Sequence, residues 1–498
     1  MSGGHEYDVM VTGAGPAGTC AAIGLRRLGY SVVLLERQIF PRPHIGESFT
    51  PGIAAILKFL SLGGILDALP KIESTGTLRR WEHRTESQLL PSGGGFVTDR
   101  GIFDMQMLCA AREHGIECRQ HLNATAQRVG DVWQTAIAGE HGAEHISAHL
   151  WIDARGRQPA QANRYILTAP AAISLWAEFE YGLIQDPLLS RMEALHEAWL
   201  WGSTTAAGTY RVLAVSDPAV PRTVTSGSPS AWLREALARS TLLRGYADKP
   251  LVNRLGHCAA GSYMHADPWQ PGFMKVGDAA FALDPLSSAG VEKAMRHALH
   301  CVVAAHTLLD DQRAAQIARN FYLDRLLESV ANHACWTARH YGEAWPLHEA
   351  SFWQKRAKAR IMQASNAHEL ASQLATRLAS VMATPPAEEP RQTHHPDEDL
   401  VRQVLSRQTN VVLSPMARQV ETLCVVDSKA VIAHAISHPS MQRPVAFLDG
   451  IAVTPMLAGT DRATNLHTLV ARWSSRMPCR QAMQVACWLL KERILVAC

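Results

Sequence analysis

The run Gly13-Ala14-Gly15-Pro16-Ala17-Gly18 limits what the front of this chain can fold into. It is a G-x-G-x-x-G pattern that directly follows an apolar stretch, Tyr7 to Thr12, read as a short buried strand. It opens a helical pattern from Ala17 to Leu28, and a second strand, Ser31 to Leu35, comes next. Strand, glycine turn, helix and strand within about thirty residues make the βαβ unit of a dinucleotide-binding sheet. Gly13 permits the tight turn, Gly15 lets the backbone approach a pyrophosphate, and Gly18 lets helix pack on strand. Pro16 and Ala17 begin the helix, whose N-terminal amides and dipole favour phosphate. Glu36 closes the second strand, where a carboxylate accepts from ribose hydroxyls and disfavours a 2′-phosphate. With Arg37 beside it as a further cofactor-binding candidate, the unit suits FAD or NAD over NADP.

A second segment decides between the nucleotides. Gly277-Asp278-Ala279-Ala280 is followed by Asp284-Pro285-Leu286-Ser287-Ser288-Ala289-Gly290, and Val291 to Met295 opens a helix. A short acidic side chain after a strand binds polyol hydroxyls, and a small-residue loop at a helix start sits under a polar ring edge. A dehydrogenase that uses only NAD has no need of this segment. The two segments together resemble the FAD-binding fold of the para-hydroxybenzoate hydroxylase type, over roughly residues 5 to 380. That superfamily includes aromatic hydroxylases, geranylgeranyl reductases and flavin-dependent halogenases. The resemblance implies an α/β fold: an FAD-binding Rossmann-like domain with an interleaved substrate-binding sheet, mostly at about 75–98 and 165–265.

The resemblance extends to single positions. Pro43-His44-Ile45-Gly46-Glu47-Ser48 resembles the loop beside the flavin in the halogenase branch, so Gly46, Glu47 and Ser48 are cofactor-binding candidates. Arg100, ahead of Phe103-Asp104, stands where the family places an Arg or Gln on the phosphate–ribityl region. Ile152 to Arg157 resembles the family's Asp-Ala-Thr-Gly-Arg stretch, with Arg155 in place of Thr. Gly277 and Asp278 are expected at the ribityl chain, and Pro285, Ser288, Ala289 and Gly290 along the flavin ring.

What the resemblance implies for activity is a monooxygenase that hydroxylates an aromatic ring through a C4a-hydroperoxyflavin, with molecular oxygen as co-substrate. A halogenase of the same superfamily needs a Lys near the substrate and, in the tryptophan branch, a Gly-Trp-x-Trp-x-Ile-Pro barrier. Here Ala198-Trp199-Leu200-Trp201-Gly202-Ser203 keeps both Trp and loses the Gly, Ile and Pro. The region that should carry the Lys reads Thr75 to Trp81, and the nearest Lys is Lys71. Trp199 and Trp201 are candidates for the substrate pocket, against the alternative that they fill a sheet core. Taken with the Asp-Pro-Leu-Ser-Ser loop and the extra C-terminal region, this resembles the monooxygenases that hydroxylate a tryptophan to begin a tryptophylquinone cofactor. That likeness implies an indole in a peptide or protein as substrate. Two alternatives stay open, a halogenase acting on a small aromatic and a non-catalytic flavin-binding assembly factor. No residue stands out as a catalytic base; His44 and Glu47 are the candidates. The reductant, NAD(P)H or a separate flavin reductase, is also open, because no second G-x-G-x-x-G is present.

At 498 residues the chain is too long for one ordinary core. A proline-rich stretch reads as a linker at 386–399, between an FAD-binding region, 1–385, and a small, mainly helical domain, 400–498. Helices are expected there at Asp427 to Ile436, Arg462 to Arg472 and Arg480 to Lys491. A domain without flavin motifs suits the docking of a protein partner. The net charge of +3 carries no basic stripe, which argues against nucleic acid. The 23 His do not fall at metal-ligand spacings with the ten Cys, so no metal is expected. With no C-x-x-C pair, no export signal ahead of Tyr7 and no apolar run of membrane-spanning length, the expectation is a cytoplasmic protein that avoids the membrane.

Overall fold

The structure, a computed structural model, describes residues 5–82, 85–89, 95–139, 142–157, 164–180, 182, 188–223, 228–364, 368–383, 404, 406, 408–441 and 443–498. The expected linker at 386–399 lies outside the described residues. By internal contacts the chain divides into two units: Met1–His306 with Tyr322–Thr384, and Thr307–Phe321 with Pro385–Cys498.

The first unit begins with β1 (His5–Thr12), α1 (Pro16–Arg27) and the wholly buried β2 (Val32–Leu35). Helix α2 (Arg100–Glu113) is started by Asp99, whose carboxylate accepts from the amides of Gly101 and Ile102. Strand β3 (Gly142–Asp153) returns beside β1. The parallel core of this sheet runs Phe273–Lys275, β3, β1, β2, Glu117–Arg119. Thr12 at the end of β1 stands level with Leu35 on one side and Asp153 on the other. β2 and β3 flank β1 on opposite sides, so a crevice opens beyond the carboxyl ends of β1 and β3, where α/β sheets bind nucleotides.

Asp153 closes β3 with no exposed side-chain surface. Its carboxylate is held by Arg155 Nε and Nη2 and by Lys275 Nζ, each at 2.9 Å. Burial pushes its pKa up, but Arg155 and Lys275 outweigh burial and hold it at about 2, below its ordinary 3.8. A folded-state pKa below the unfolded one means stability that is present above pH 3.8 and lost as the pH falls through 2. The expected loss is about 2 kcal/mol across that window. Urea unfolding of Asp153→Asn, compared with the wild type, should lack this share of the acid dependence; an unchanged slope would refute the assignment.

The second sheet contains β4 (Ile173–Glu180), β5 (Leu189–Leu195), β6 (Ala198–Thr204) and β7 (Thr209–Ser216). Its order is Gly256–Ala259, β4, β7, β6, β5, Gly76–Arg80, Thr85–Leu89. These strands interrupt the nucleotide-binding elements in sequence, so the second sheet is interleaved with the first. Side chains alternate between two covered faces. Phe179, Leu200, Tyr210 and Val212 pack with Trp232 and Leu233 of the helix Pro229–Arg239. Ala194, Trp199 and Val215 pack with Trp81, Tyr341 and Trp353. Two long helices follow, α3 (Gly290–Asp310) and α4 (Ala315–Gly342).

The second unit has its own core, built by Val411, Ile436, Leu466, Leu469, Trp473 and Leu489 among others. Helices α5 (Leu466–Trp473) and α6 (Cys479–Lys491) stand where helices are expected. The segment Asp427 to Ile436 does not form a helix. It is the turn and second strand of a hairpin, β8 (Arg418–Val426) and β9 (Lys429–Ser437). Asp427 and Ser428 both take positive φ, 49° and 64°, and Val426 pairs with Lys429. A two-residue turn with both φ positive matches the twist of an antiparallel pair. Val431 and Ile432, β-branched, then favour the strand. Among the described residues no helix is long and apolar enough to cross a membrane.

Candidate active site

The end of β1 is shaped for a pyrophosphate. Gly13 has φ +100°, and a Cβ there would meet the carbonyl oxygen of Ala154 at 2.5 Å. Gly15 is the N-cap of α1, with no side chain capping the helix, and a Cβ on it would have only Arg42 Nη2 nearby, at 3.7 Å. The free first-turn amides and the helix dipole therefore face open space. Arg42 is stacked over Phe40, 4.8 Å to the ring centroid, and lies 3.4 Å from Asp104. Its Nε is buried without a hydrogen-bond partner, which leaves a donor for an anion.

Glu36 is buried, and its two oxygens accept from the amides of Ala14 at 2.7 Å and Gln38 at 2.8 Å. A carboxylate has about four lone-pair sites, so both oxygens keep capacity for ribose hydroxyls while the backbone holds them in place. Arg37 is exposed beside it.

The second motif meets the first directly. Gly277 has φ +62°, and a Cβ there would press on the Ala17 side chain at 2.7 Å. Asp278 is thereby set beside the start of α1. Its Oδ1 accepts from Lys293 Nζ at 2.8 Å, and Lys293 also donates to the Phe281 carbonyl at 2.7 Å. The lysine side chain is 7 % exposed and that of Asp278 38 %, so the carboxylate keeps an open side for a ribityl hydroxyl. Against the desolvation of its setting, Lys293 and then Arg157 hold the Asp278 carboxyl below its ordinary range. Pro285 to Ser287 form a single 3-10 turn, Ser288 is left-handed at φ +51°, and Gly290 starts α3. This aims the N-terminus of a long helix at the crevice.

The segment Pro43 to Ser48 completes the rim. Arg100 is buried, bidentate to Asp104 at 3.1 Å, and reaches the Ile45 carbonyl at 3.4 Å. It lies directly under Gly46, where a Cβ would meet Arg100 Nη1 at 3.2 Å. Glu47 is buried, accepts from the Gly46 amide at 2.9 Å, and pairs with Arg211 of β7 at 2.9 Å. Arg211 also bonds Glu178 of β4. Glu47 therefore ties the loop to the second sheet: Oε2 accepts from the Gly46 amide, while Oε1 faces Arg211 as an ion pair and is buried without a hydrogen bond. Ser48 is half-buried at the next position, and Thr50 bonds Glu292 in the first turn of α3. His44 is exposed, its Nδ1 2.6 Å from the Ile45 carbonyl.

An uncapped helix start beside an arginine with an unpartnered Nε, the Glu36 carboxylate and the half-open Asp278 carboxylate together fit FAD. Residues 8–157 also match the family model for FAD dependent oxidoreductases. The protein is an FAD-dependent oxidoreductase. A tryptophan 2-halogenase of Chondromyces crocatus is 26 % identical to it over 375 residues, covering 70 % of this chain and 68 % of that protein. Among solved structures, the flavin-dependent halogenase CmlS matches with a TM-score of 0.73 at 19 % identity, over 99 % of this chain and 96 % of that one. The peptidyl tryptophan dihydroxylase QhpG, essential for tryptophylquinone cofactor biogenesis, matches with 0.71 at 22 % identity, over 98 % and 99 %. The expected likeness to the tryptophylquinone-biogenesis monooxygenases is thus present in the fold.

The oxidoreductase carries its two candidate tryptophans on one face of β6. Trp199 is 1 % exposed and belongs to the aromatic core; its indole N–H donates to Tyr341 Oη at 2.9 Å. It fills the sheet core rather than facing an open pocket. Trp201 is half-buried at the edge of the same cluster, which also contains Leu286 of the Pro285–Ser287 turn. Arg42, Lys293, Arg211 and Tyr341 are the residues that sequence reasoning missed. Arg42 alone had a local sign, its place between Pro41 and Pro43.

Proposed function

We propose that this oxidoreductase is a monooxygenase that hydroxylates an indole ring carried by a peptide or protein, in the biogenesis of a quinone cofactor. The observation that carries this reading is the condition of the residues a halogenase would use. Strand Gly76–Arg80 presents Arg79 and Arg80 and no lysine, and Arg80 is bound to the buried Glu193 at 3.0 Å. Lys71 is exposed, with its Nζ on the Leu66 carbonyl. The full-length likeness to a peptidyl tryptophan dihydroxylase, in both coverage figures, adds support.

Bound FAD supplies, after reduction and reaction with oxygen, an electrophilic oxygen for transfer. The chain's own part is binding, orientation and exclusion of water. Gly13 to Gly18 and Arg42 would hold the pyrophosphate, Glu36 the ribose and Asp278 the ribityl chain, and the start of α3 would supply amide donors to the ring. The Glu47–Arg211 pair keeps the Gly46 loop closed against the sheet, so that the reacting ring is held in a site shielded from water. A second reading, halogenation of a small aromatic, has the similarity to the tryptophan 2-halogenase in its favour.

The two are separated by product mass. Reduced enzyme given oxygen, bromide and either free tryptophan or tryptophan-containing peptides should yield a peptide that has gained oxygen atoms. A bromine isotope pair in the product would overturn the hydroxylase reading.

A further inference from the structure

The turn that leads into α3 is tied to the substrate sheet by buried hydrogen bonds. Asp284 is 3 % exposed and begins the turn: its Oδ1 accepts from the Leu286 amide at 3.0 Å. Its Oδ2 accepts from the hydroxyl of Tyr341, at the end of α4, at 3.1 Å. The Tyr341 oxygen in turn accepts from Trp199 Nε1 of β6. On the other side, the Asp284 amide donates to His333 Nε2 at 3.1 Å.

Chemistry fixes the direction of this chain. An indole N–H is a donor only, so the phenol oxygen must accept from Trp199. The single phenol proton is then left for Asp284. Tyr341 and Trp199 have essentially no exposed surface, so neither can exchange its partner for water. The Asp284 carboxyl is raised by burial to about 6, and the Leu286 amide and the Tyr341 hydroxyl both work against that rise.

We propose that Trp199 and Tyr341 are positioning residues, which set the Pro285–Gly290 turn, and so the start of α3, at the flavin through Asp284. Trp199 then acts as an anchor for the cofactor side of the site. This holds whether the oxidoreductase hydroxylates or halogenates.

The test is a double-mutant cycle of Trp199→Phe and Tyr341→Phe, read by FAD affinity from fluorescence quenching and by the visible bands of the bound oxidised flavin. Tyr341→Phe removes one buried oxygen and keeps the ring. It should weaken FAD roughly tenfold, the scale of one lost buried hydrogen bond, and shift the flavin bands. Trp199 acts through the Tyr341 oxygen, so adding Trp199→Phe to Tyr341→Phe should weaken FAD no further. Two results would overturn the proposal: wild-type affinity and spectrum in Tyr341→Phe, or losses from the two substitutions that simply multiply. Packing damage alone would lower the melting temperature of the apoprotein without changing the spectrum of the flavin bound by the folded fraction. If Trp199→Phe does not fold, Tyr341→Phe alone decides by the same affinity and spectrum.

Discussion

Asp278→Ala is expected to purify nearly free of FAD and about 3 kcal/mol less stable than the wild type, and only the second defect should be repaired by adding Lys293→Met. The reason lies in the unequal burial of the pair. Lys293 is 7 % exposed and has two acceptors, Asp278 Oδ1 and the Phe281 carbonyl. Without Asp278, an ammonium is left buried with one neutral partner, a far worse state than the intact pair. Lys293→Met alone leaves a carboxylate that is 38 % exposed and can be solvated, so it should cost less. The double variant removes both charges and should recover most of the stability. It still lacks the carboxylate for the ribityl chain, so FAD affinity should stay low. Chemical unfolding and the ratio of flavin to protein absorbance measure the two quantities separately. Full FAD content in Asp278→Ala would remove Asp278 from the site; equal stability of the two single variants would refute the account of the pair.

The contrast between Asp278 and Lys293 also marks what a sequence reveals. Gly13, Gly15 and Gly18 were legible because turn, helix start and strand end are neighbours in the chain, and the spacing alone carries the geometry. Gly277-Asp278 was legible as a motif, but nothing in the sequence announces that Gly277 lands on Ala17. Arg211 reaching Glu47, and Tyr341 reaching Asp284, depend on how the second sheet and α4 pack. Such pairings are long-range and leave no periodic trace. Trp199 and Trp201 were ambiguous for a related reason: both faces of β6 are covered, so alternation separates two cores and does not mark a pocket. At Asp427 to Ile436, the apolar residues fit a helical reading until the two positive φ values at Asp427 and Ser428 are known.

Ending the chain after Pro390 should leave FAD bound and abolish modification of a polypeptide substrate. Every residue assigned to the flavin, from Gly13 to Lys293, belongs to the first unit, and the second has a core of its own. The cut does remove the partners of Thr307, which accepts from the Ala430 amide, and of Asp310, which pairs with Lys429. A lower melting temperature is therefore expected, but not loss of cofactor. Within the second unit Met416, Val425, Ile432 and Phe447 are 37–55 % exposed, and Val425 and Ile432 stand on the two strands of the β8–β9 hairpin. A small free aromatic has no use for contacts outside the flavin-binding unit. A polypeptide substrate can use them, because contacts remote from the reacting ring convert binding energy into orientation. A loss of at least about a hundredfold in product formation is expected, equivalent to about 2.7 kcal/mol of transition-state stabilisation. Oxygen consumption by the reduced flavin should persist, now without product. Equal rates of peptide modification in truncated and full-length protein would show that the second unit does not dock the substrate, and loss of FAD on truncation would make its role structural.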